Sequence, residues 1–185
     1  MIVNACEERP RLVIIGAGGH GRSVLEVVQL LNEFEVMGFV DDGAYIRGEC
    51  VSGFSVLGPA KNFESYLNIA KHAIVAIGNN ALHEALSIQV ASAGFNLINV
   101  IHPRAVVSVS AHLGVGNVVM AGAVVGTGAT LGNGVIVNSG AVIDHDAHAH
   151  NFSHLGVNAC MAGASVLGAL AHLSAGSVVG TNASV

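Results

Sequence analysis

The chain of 185 residues contains no tryptophan, and aromatic residues make up only 4% of it. Charged residues are also few, at 10%, and there are three prolines. These shortages exclude a core built on large aromatic rings and a surface dominated by charge. Val, Ile, Leu and Ala must therefore supply the core, and 24 glycines permit close approach of backbone segments.

Long apolar runs, signal-peptide features and paired cysteines are absent as well. No apolar run reaches the roughly 18 residues of a membrane span. The N-terminal stretch MIVNACEERPRL lacks the basic-then-apolar pattern of a signal peptide, so we expect a cytoplasmic protein. Three scattered cysteines without a C-x-x-C pair argue against disulfides and a thiolate zinc site. A net charge of −5 with no basic run disfavours nucleic-acid binding and favours a small-molecule substrate.

The first hundred residues alternate short apolar runs with segments of helical periodicity. The strand-like segments are RLVIIGAG, VMGFVDD, HAIVAIGN and FNLINVIHP, and the helix-like segments are RSVLEVVQLLNEF, KNFESYLNIAK and NALHEALSIQVASAG. Gly94 lies where the last of these helices needs a C-terminal cap. This alternation predicts an α/β, Rossmann-like domain with an open parallel sheet over residues 1–100.

From Ile101 onward the apolar period changes to six and does not slip. Fourteen of the fifteen positions in this register are large and aliphatic, with Ala149 as the exception: Ile101, Val107, Leu113, Val119, Val125, Leu131, Val137, Ile143, Ala149, Leu155, Met161, Leu167, Leu173, Val179 and Val185. Four residues after most of them is a small residue, Ala or Ser. A six-residue period predicts a triangular parallel β-helix over residues 101–185, in which three hexads form one coil and positions 18 apart stack.

The hexads, together with VIIGAGGHGRSV, FVDD, AIGNN, IHP and VIDHD in this order, resemble the NeuD/PglD family of sugar O- and N-acetyltransferases along essentially the whole chain. The resemblance implies a left-handed β-helix and a homotrimer with acetyl-CoA bound between neighbouring β-helices. It also implies that the N-terminal domain holds a nucleotide-sugar acceptor. The repeats end at Val185 without a capping element. We therefore expect a truncated β-helix that lacks part of the surface for the coenzyme.

The segment GAGGHG at residues 16–21 matches G-x-G-x-x-G between a strand and a helix, and Asp41 follows Gly21 by twenty residues. The pattern is typical of a turn that binds phosphate, and an NAD-dependent oxidoreductase fits it too. Two features count against the oxidoreductase. Only one small sheet is predicted for the N-terminal half, and the hexad domain has no role in hydride transfer. The resemblance instead implies a diphosphate beside Gly18, Gly19, His20 and Arg22, and a nucleoside near Asp41, Gly78 and Asn79. A solvated turn at Asp41 and a helix cap at His20 are the alternatives.

Four histidines fall within IDHDAHAHNFSH: His145, His148, His150 and His154. The hexads distribute them over different sides and corners of the triangle, so we expect no metal site. His145 and Asp146 instead combine a base near neutral pKa with a carboxylate that orients it. The resemblance implies that these two residues are the catalytic pair.

Spacing of 18 residues adds two further expectations. Gly163 lies one coil beyond His145, so its N–H is a candidate donor to the oxyanion of the reacting thioester. His154 and His172 should stack on each other. The resemblance further implies that His154 contacts the acetyl donor or acceptor and that Asn138 lies in the same cleft.

The sequence thus predicts an acetyl-CoA-dependent acetyltransferase that acts on a UDP-4-amino-sugar type of substrate in bacterial glycan biosynthesis. A sialic acid O-acetyltransferase, a non-catalytic trimer that binds nucleotide sugars, and the NAD-dependent oxidoreductase remain as alternatives.

Overall fold

The computed structural model describes residues 9–43 and 50–185. Its N-terminal part is a sheet in the order β3-β4-β2-β1-β5-β6, parallel except for the β3–β4 pair. The elements are β1 (Arg11–Ile15), α1 (Gly19–Leu31), β2 (Glu35–Val40), β3 (Cys50–Val51), β4 (Phe54–Gly58), β5 (His72–Val75), α2 (Asn80–Ser92) and β6 (Asn96–Leu97). The predicted α/β sheet is confirmed.

Two details of the N-terminal prediction differ from the structure. The stretch KNFESYLNIAK was expected to be a helix, but only Phe63–Tyr66 form a short 3₁₀ helix. Strands β3 and β4 were not predicted, although β4 extends the sheet beside β2 and β3 pairs with β4. The cap at the end of α2 is confirmed, because Gly94 has φ of +103° and follows the C-cap residue Ala93.

Two-residue strands follow every six residues. They are β7 (Val100–Ile101), β8 (Val106–Val107), β9 (His112–Leu113), β10 (Val118–Val119), β11 (Val124–Val125), β12 (Thr130–Leu131), β13 (Ile136–Val137), β14 (Val142–Ile143), β15 (His148–Ala149), β16 (His154–Leu155), β17 (Cys160–Met161), β18 (Val166–Leu167), β19 (His172–Leu173) and β20 (Val178–Val179). Each strand pairs in parallel with the strand 18 residues away, which builds three flat sheets. The predicted left-handed parallel β-helix is confirmed.

The corners of the triangle repeat with the same period as the strands. Every sixth residue from Gly116 to Asn182 has φ between 55° and 74°. Glycine adopts this left-handed conformation without cost, whereas Phe152 and Leu170, which also adopt it, carry bulky side chains. The aliphatic residue of each hexad points inward, and small residues such as Ala147 and Ala159 are fully buried beside the corners.

The three sides of the β-helix differ in their outward residues. The docked face (β7, β10, β13, β16, β19) is covered by α1, because Val100 and Val118 share a cluster with Val24 and Val28. The polar face (β9, β12, β15, β18) presents mainly His and Thr. The valine face (β8, β11, β14, β17, β20) presents Val106, Val124, Val142, Cys160 and Val178.

Candidate active site

His145 and Asp146 form a hydrogen-bonded pair at the corner between the valine face and the polar face. The Nδ1 atom of His145 lies 3.0 Å from Oδ2 of Asp146. Their side chains are 60% and 67% exposed, so both are accessible to a ligand. Asp146 has φ of 56°, a conformation that Asp tolerates better than most residues, and this turn directs its carboxylate toward the ring.

The acidic neighbours of His145 favour its protonated form. The hydrogen bond to Asp146 is the main cause of a raised pKa, and the charge of Asp144 adds to it. Asp144 also accepts the backbone N–H of His145 at 2.7 Å, which fixes the start of the corner. The carboxylate of Asp146 accepts a hydrogen bond from Nδ1–H of His145. In the neutral ring the hydrogen is therefore on Nδ1, and the free lone pair is on Nε2. That atom is a base directed away from the pair.

Gly163 lies one coil further along, directly beside the ring of His145. A Cβ atom added at Gly163 would lie 2.5 Å from Nε2 of His145, so only glycine fits without displacing the ring. Gly163 is the second residue of a corner turn that begins at Ala162. The N–H of Ser165 donates to the carbonyl oxygen of Ala162 at 3.1 Å and closes this turn. The N–H of Gly163 itself has no hydrogen-bond partner among the described residues. An unused backbone donor therefore lies close to the base.

The glycine loop joins β1 to α1 and divides its glycines into two kinds. A Cβ at Gly21 would overlap the carbonyl oxygen of Gly16, so these two glycines allow the helix to pack on the loop. Gly18 and Gly19 face open space. The first turn of α1 has no side-chain cap, so its N–H groups are available to an anion. Arg22 is exposed in the same turn.

Asp41 braces this loop at the end of β2. Its Oδ2 accepts the N–H of Ala17 at 2.7 Å, and its Oδ1 accepts the N–H of Gly43 at 2.6 Å. A cavity of about 170 Å³ lies beside it at the carboxyl ends of β1 and β2, lined by Asp41, Asp42 and apolar side chains. Asp41 is therefore a hydrogen-bonded part of the loop, and the predicted contact with a nucleoside stays a prediction.

The loop after β5 provides the other two predicted nucleoside contacts. Gly78 faces open space. Asn79 caps α2, and its side-chain oxygen accepts the N–H of Leu82 at 3.0 Å. Asn80 donates to Leu170 O at 2.9 Å and thereby ties this end of α2 to the β-helix. The loop thus lies at the junction between the sheet and the β-helix.

Three histidines lie at the same junction: His20 of the glycine loop and His154 of β16, which are half-buried, and His83 of α2, which is fully buried. We call them the junction histidines. Burial lowers the pKa of His20. It also lowers the pKa of His83 to about 4, and the neighbouring His20 and His154 contribute. The pKa of His154 falls to about 4 for the same reason, with His172 and His20 as further causes.

The predicted stacking of His154 and His172 is confirmed. Their ring centroids are 4.5 Å apart, and the ring planes differ by 21°. Both residues lie on paired strands of the docked face, β16 and β19.

His83 was not singled out from the sequence, although a signal for it exists. Its position continues the buried stripe of α2, which consists of His83, Leu86, Ser87 and Val90 at helical spacing. A histidine at an apolar position of an amphipathic helix indicates a buried imidazole. Cys160 faces outward on the valine face and is half-buried.

Within one chain, the predicted site residues fall into separate parts. His145 lies at the corner between the valine and polar faces, whereas Asn138 lies at the corner between the docked and valine faces. The Oδ1 atom of Asn138 accepts the N–H of Ser139 at 2.8 Å. His154 belongs to the junction. The valine face therefore lies between two of these parts.

Across residues 9–43 and 50–185, no three His, Cys, Asp or Glu side chains are grouped so that they could hold a metal ion.

Neither α1 nor α2 has the length and apolarity of a membrane span, and no other helix in the described ranges does.

Known proteins share both the sequence and the fold of this chain. Residues 11–90 match the PglD N-terminal domain. Perosamine N-acetyltransferase from Caulobacter crescentus, solved as a variant with one histidine replaced by asparagine and in complex with CoA and GDP-perosamine, superposes with a TM-score of 0.85. It is 33% identical, and the match covers 94% of this chain and 90% of that chain. The chain belongs to the NeuD/PglD family of sugar acetyltransferases.

Two other members extend the comparison within the NeuD/PglD family. The acetyltransferase domain of PglB from Neisseria gonorrhoeae, in complex with acetyl coenzyme A, is 35% identical, with a TM-score of 0.82 and coverage of 94% and 92%. The UDP-N-acetylbacillosamine N-acetyltransferase of Bacillus subtilis is 31% identical over 109 residues, or 57% of this chain. This match spans only about half, 49%, of the curated relative.

Proposed function

We propose that the protein transfers the acetyl group of acetyl-CoA to the amino group of a nucleotide-linked 4-amino sugar, of the UDP type, in bacterial glycan biosynthesis. The observation that carries the proposal is the exposed His145–Asp146 pair with the bare backbone of Gly163 beside Nε2. A base and an oxyanion donor at one place are what direct acyl transfer from a thioester requires.

The reaction proceeds without a covalent enzyme intermediate. Nε2 of His145 takes a proton from the acceptor nitrogen as that nitrogen attacks the thioester carbonyl. The carbonyl electrons move to oxygen, and the N–H of Gly163 stabilises the oxyanion. The C–S bond then breaks, and the CoA sulfur leaves and receives the proton from His145. Asp146 holds the ring and stabilises its protonated form.

The two predicted domains divide the substrates between them in this proposal. Residues 1–100 bind the nucleotide sugar, with the diphosphate at the open backbone of Gly18 and Gly19. His20 and Arg22 flank it. Asp41, Gly78 and Asn79 surround the nucleoside at the carboxyl ends of the strands, where open α/β sheets bind ligands. Residues 101–185 carry the chemistry, and His154 contacts the acetyl donor or acceptor.

We infer a homotrimer, because the valine face is apolar and uncovered within one chain. Val106 and Val178 are 63% and 70% exposed, which is unusual for two members of one apolar stripe. A second copy on this face would border both Asn138 and His145 and place acetyl-CoA between two β-helices. Sedimentation should therefore give three times the chain mass of 18.7 kDa. We place the enzyme in the cytoplasm, where both substrates are made.

Nitrogen is favoured over oxygen as the acceptor atom. Two of the relatives are named as amino-sugar N-acetyltransferases. This favours a 4-amino sugar over a sialic acid hydroxyl. The same relatives disfavour the NAD-dependent oxidoreductase that the glycine loop alone allows.

A thiol-release assay tests the proposal. The protein is incubated with acetyl-CoA and a panel of UDP- and GDP-linked 4-amino sugars, together with a sialic acid as the O-acceptor control. We expect release of CoA thiol and gain of one acetyl group by an amino sugar in mass spectrometry. Sugar binding without thiol release would contradict the proposal and support a non-catalytic binding protein. Binding of NADH with no effect of acetyl-CoA would support the oxidoreductase.

A further inference from the structure

His83 lies at the contact between the N-terminal sheet domain and the β-helix. It is 1% exposed, and the charges of His20 and His154 both act on it. Its ring meets the ring of Phe152 edge-on, with centroids 5.5 Å apart and planes at 78°. The three junction histidines therefore come from three separate segments: the glycine loop, α2 and a strand of the β-helix.

The position of the His83 ring is determined by its surroundings. Phe152 has φ of 55°, a conformation that a bulky residue adopts only when the surrounding structure imposes it. A Cβ at Gly134, one coil earlier, would overlap the ring of Phe152. The left-handed corner at Phe152 and the absence of a side chain at Gly134 together hold the Phe152 ring against His83.

Both nitrogens of His83 and Nε2 of His20 are buried and have no hydrogen-bond partner among the described residues. The nitrogens of His154 are buried too, and the backbone of Gly78 approaches its ring closely enough to act on its pKa. A neutral imidazole has one donor nitrogen and one acceptor nitrogen. When one of them forms a hydrogen bond as donor, the other must be an acceptor, so the tautomer of one ring fixes which role its neighbour can take. Buried polar groups of this kind are normally hydrogen-bonded, either directly or through an ordered water.

We propose that His83 is a positioning residue that hydrogen-bonds across the domain junction, through bridging water, to His20 and His154 and fixes their ring tautomers. His20 lies in the glycine loop and His154 on the β-helix. The loop that receives the nucleotide sugar is thereby oriented relative to the face that receives the acetyl donor. The assignment of these two ligands rests on the proposed function, whereas the hydrogen bonding itself does not.

Nuclear magnetic resonance on the full chain tests this coupling without any need for turnover. In ¹⁵N-histidine-labelled protein, long-range ¹H–¹⁵N spectra report the tautomer of each ring. We expect single tautomers at His20 and His154 in the native chain and mixed tautomers at one or both in His83→Phe. Unchanged spectra of His20 and His154 in His83→Phe would overturn the proposal.

A matched control and a rescue variant separate hydrogen bonding from packing. His72 is half-buried and likewise packs its ring edge-on against a phenylalanine, Phe34, with ring centroids 5.4 Å apart, but it lies at the start of β5. His72→Phe should leave His20 and His154 unchanged. His83→Gln keeps a donor and an acceptor and should preserve the native tautomers. Equal changes in His83→Gln and His83→Phe would overturn the proposal, because lost packing would then explain both.

A kinetic measurement connects the coupling to the reaction. With an accepted nucleotide sugar, we expect kcat/KM to fall about tenfold in His83→Phe, as for one lost hydrogen bond, and to be restored in His83→Gln. If His83→Phe does not fold, His83→Leu is used in both measurements. A wild-type chain that shows no turnover would refute the proposed function and leave the tautomer test in force.

Discussion

Histidine occurs in two opposite environments in this molecule. At the corner of the β-helix, His145 is 60% exposed, faces two carboxylates and has a raised pKa. At the domain junction, His83 and His154 face other histidines, and burial lowers the pKa of each to about 4. The same side chain is thus a base that holds protons near neutral pH in one region and a neutral hydrogen-bonding group in the other.

The contrast shows which physical cause dominates in each region. At the corner, a hydrogen bond and negative charges act on a ring that keeps its water, so the charged form is favoured. At the junction, desolvation is the largest cause of the lowered pKa values, and repulsion from the neighbouring histidines adds to it, so the charged form of the ring is disfavoured. This difference supports the proposals that general-base chemistry takes place at the corner and that the junction histidines act in positioning.

Removing the exposed base should have the largest effect. In His145→Asn, we expect kcat to fall about 10³-fold, because the carboxylates that remain at the corner are much weaker bases than an imidazole. The melting temperature should hardly change, since the side chain is exposed. Steady-state kinetics with thermal melting checks both. His148→Asn, an exposed histidine of the next strand, should keep full activity; equal losses in both variants would refute the assignment.

Removing the carboxylate should have the next largest effect. Asn tolerates the left-handed conformation of residue 146, so Asp146→Asn should fold normally. We expect kcat to fall about 100-fold, because the ring loses its orientation and its counter-charge. In the wild type, kcat/KM rises with pH as His145 loses its proton. Because Asp146 raises that pKa, the rise should move to lower pH in the variant. A profile that stays in place would show that Asp146 does not act on His145.

Crowding the exposed ring should have a smaller effect. Gly163→Ala places a methyl group 2.5 Å from Nε2 and displaces the ring from the backbone donor. We expect about a tenfold loss of kcat, which is modest because the ring is free to shift into solvent. Gly180→Ala is the control, since a Cβ there meets nothing within 4 Å. Comparable losses in the two variants would point to a general effect on the β-helix.

The buried histidines should have the smallest effect, visible as a dependence of stability on acid. Above pH 6.5, His83 is neutral in both the folded and the unfolded chain. Between pH 6.5 and 4 only the unfolded chain gains the proton, so stability falls as the pH falls. At pH 5.5 we expect His83 to account for about 1 kcal/mol, or roughly 3 °C of the melting temperature.

Thermal melting of the wild type and His83→Phe checks this expectation at pH 5.5 and pH 7.5. The variant should lose less stability on acidification than the wild type. His20, His154 and His172 face the same junction and remain in both proteins, so the difference isolates His83. Identical losses in the two proteins would show that His83 is not a buried neutral group.

Periodicity explains which features could be predicted from the sequence. Because a coil takes 18 residues, arithmetic alone places His172 on His154 and Gly163 beside His145, and both placements are found. The pairing of His145 with Asp146 follows from adjacency at a corner. Buried strands and the Gly94 cap are similarly local, since apolar runs and a positive φ mark them.

Contacts between the two parts of the chain could not be predicted in this way. The burial of His83 depends on how α2 meets a corner carrying Phe152, which no local pattern encodes. The hydrogen bond from Ala17 to Asp41 joins residues that are 24 positions apart in the chain, so it depends on how β1 and β2 pair. Strand β4 and the short helix at Phe63–Tyr66 lack a clear period, and their form is set by packing against the sheet.

The most direct test of the contrast is a histidine-resolved ¹H–¹⁵N titration of the whole protein from pH 8 to pH 4. We predict that His145 gains its proton with a midpoint above 6.5, while His83 and His154 stay neutral until about pH 4. Titration of His83 or His154 together with His145, or of His145 below 6.5, would contradict the division of the histidines into a base and a positioning group.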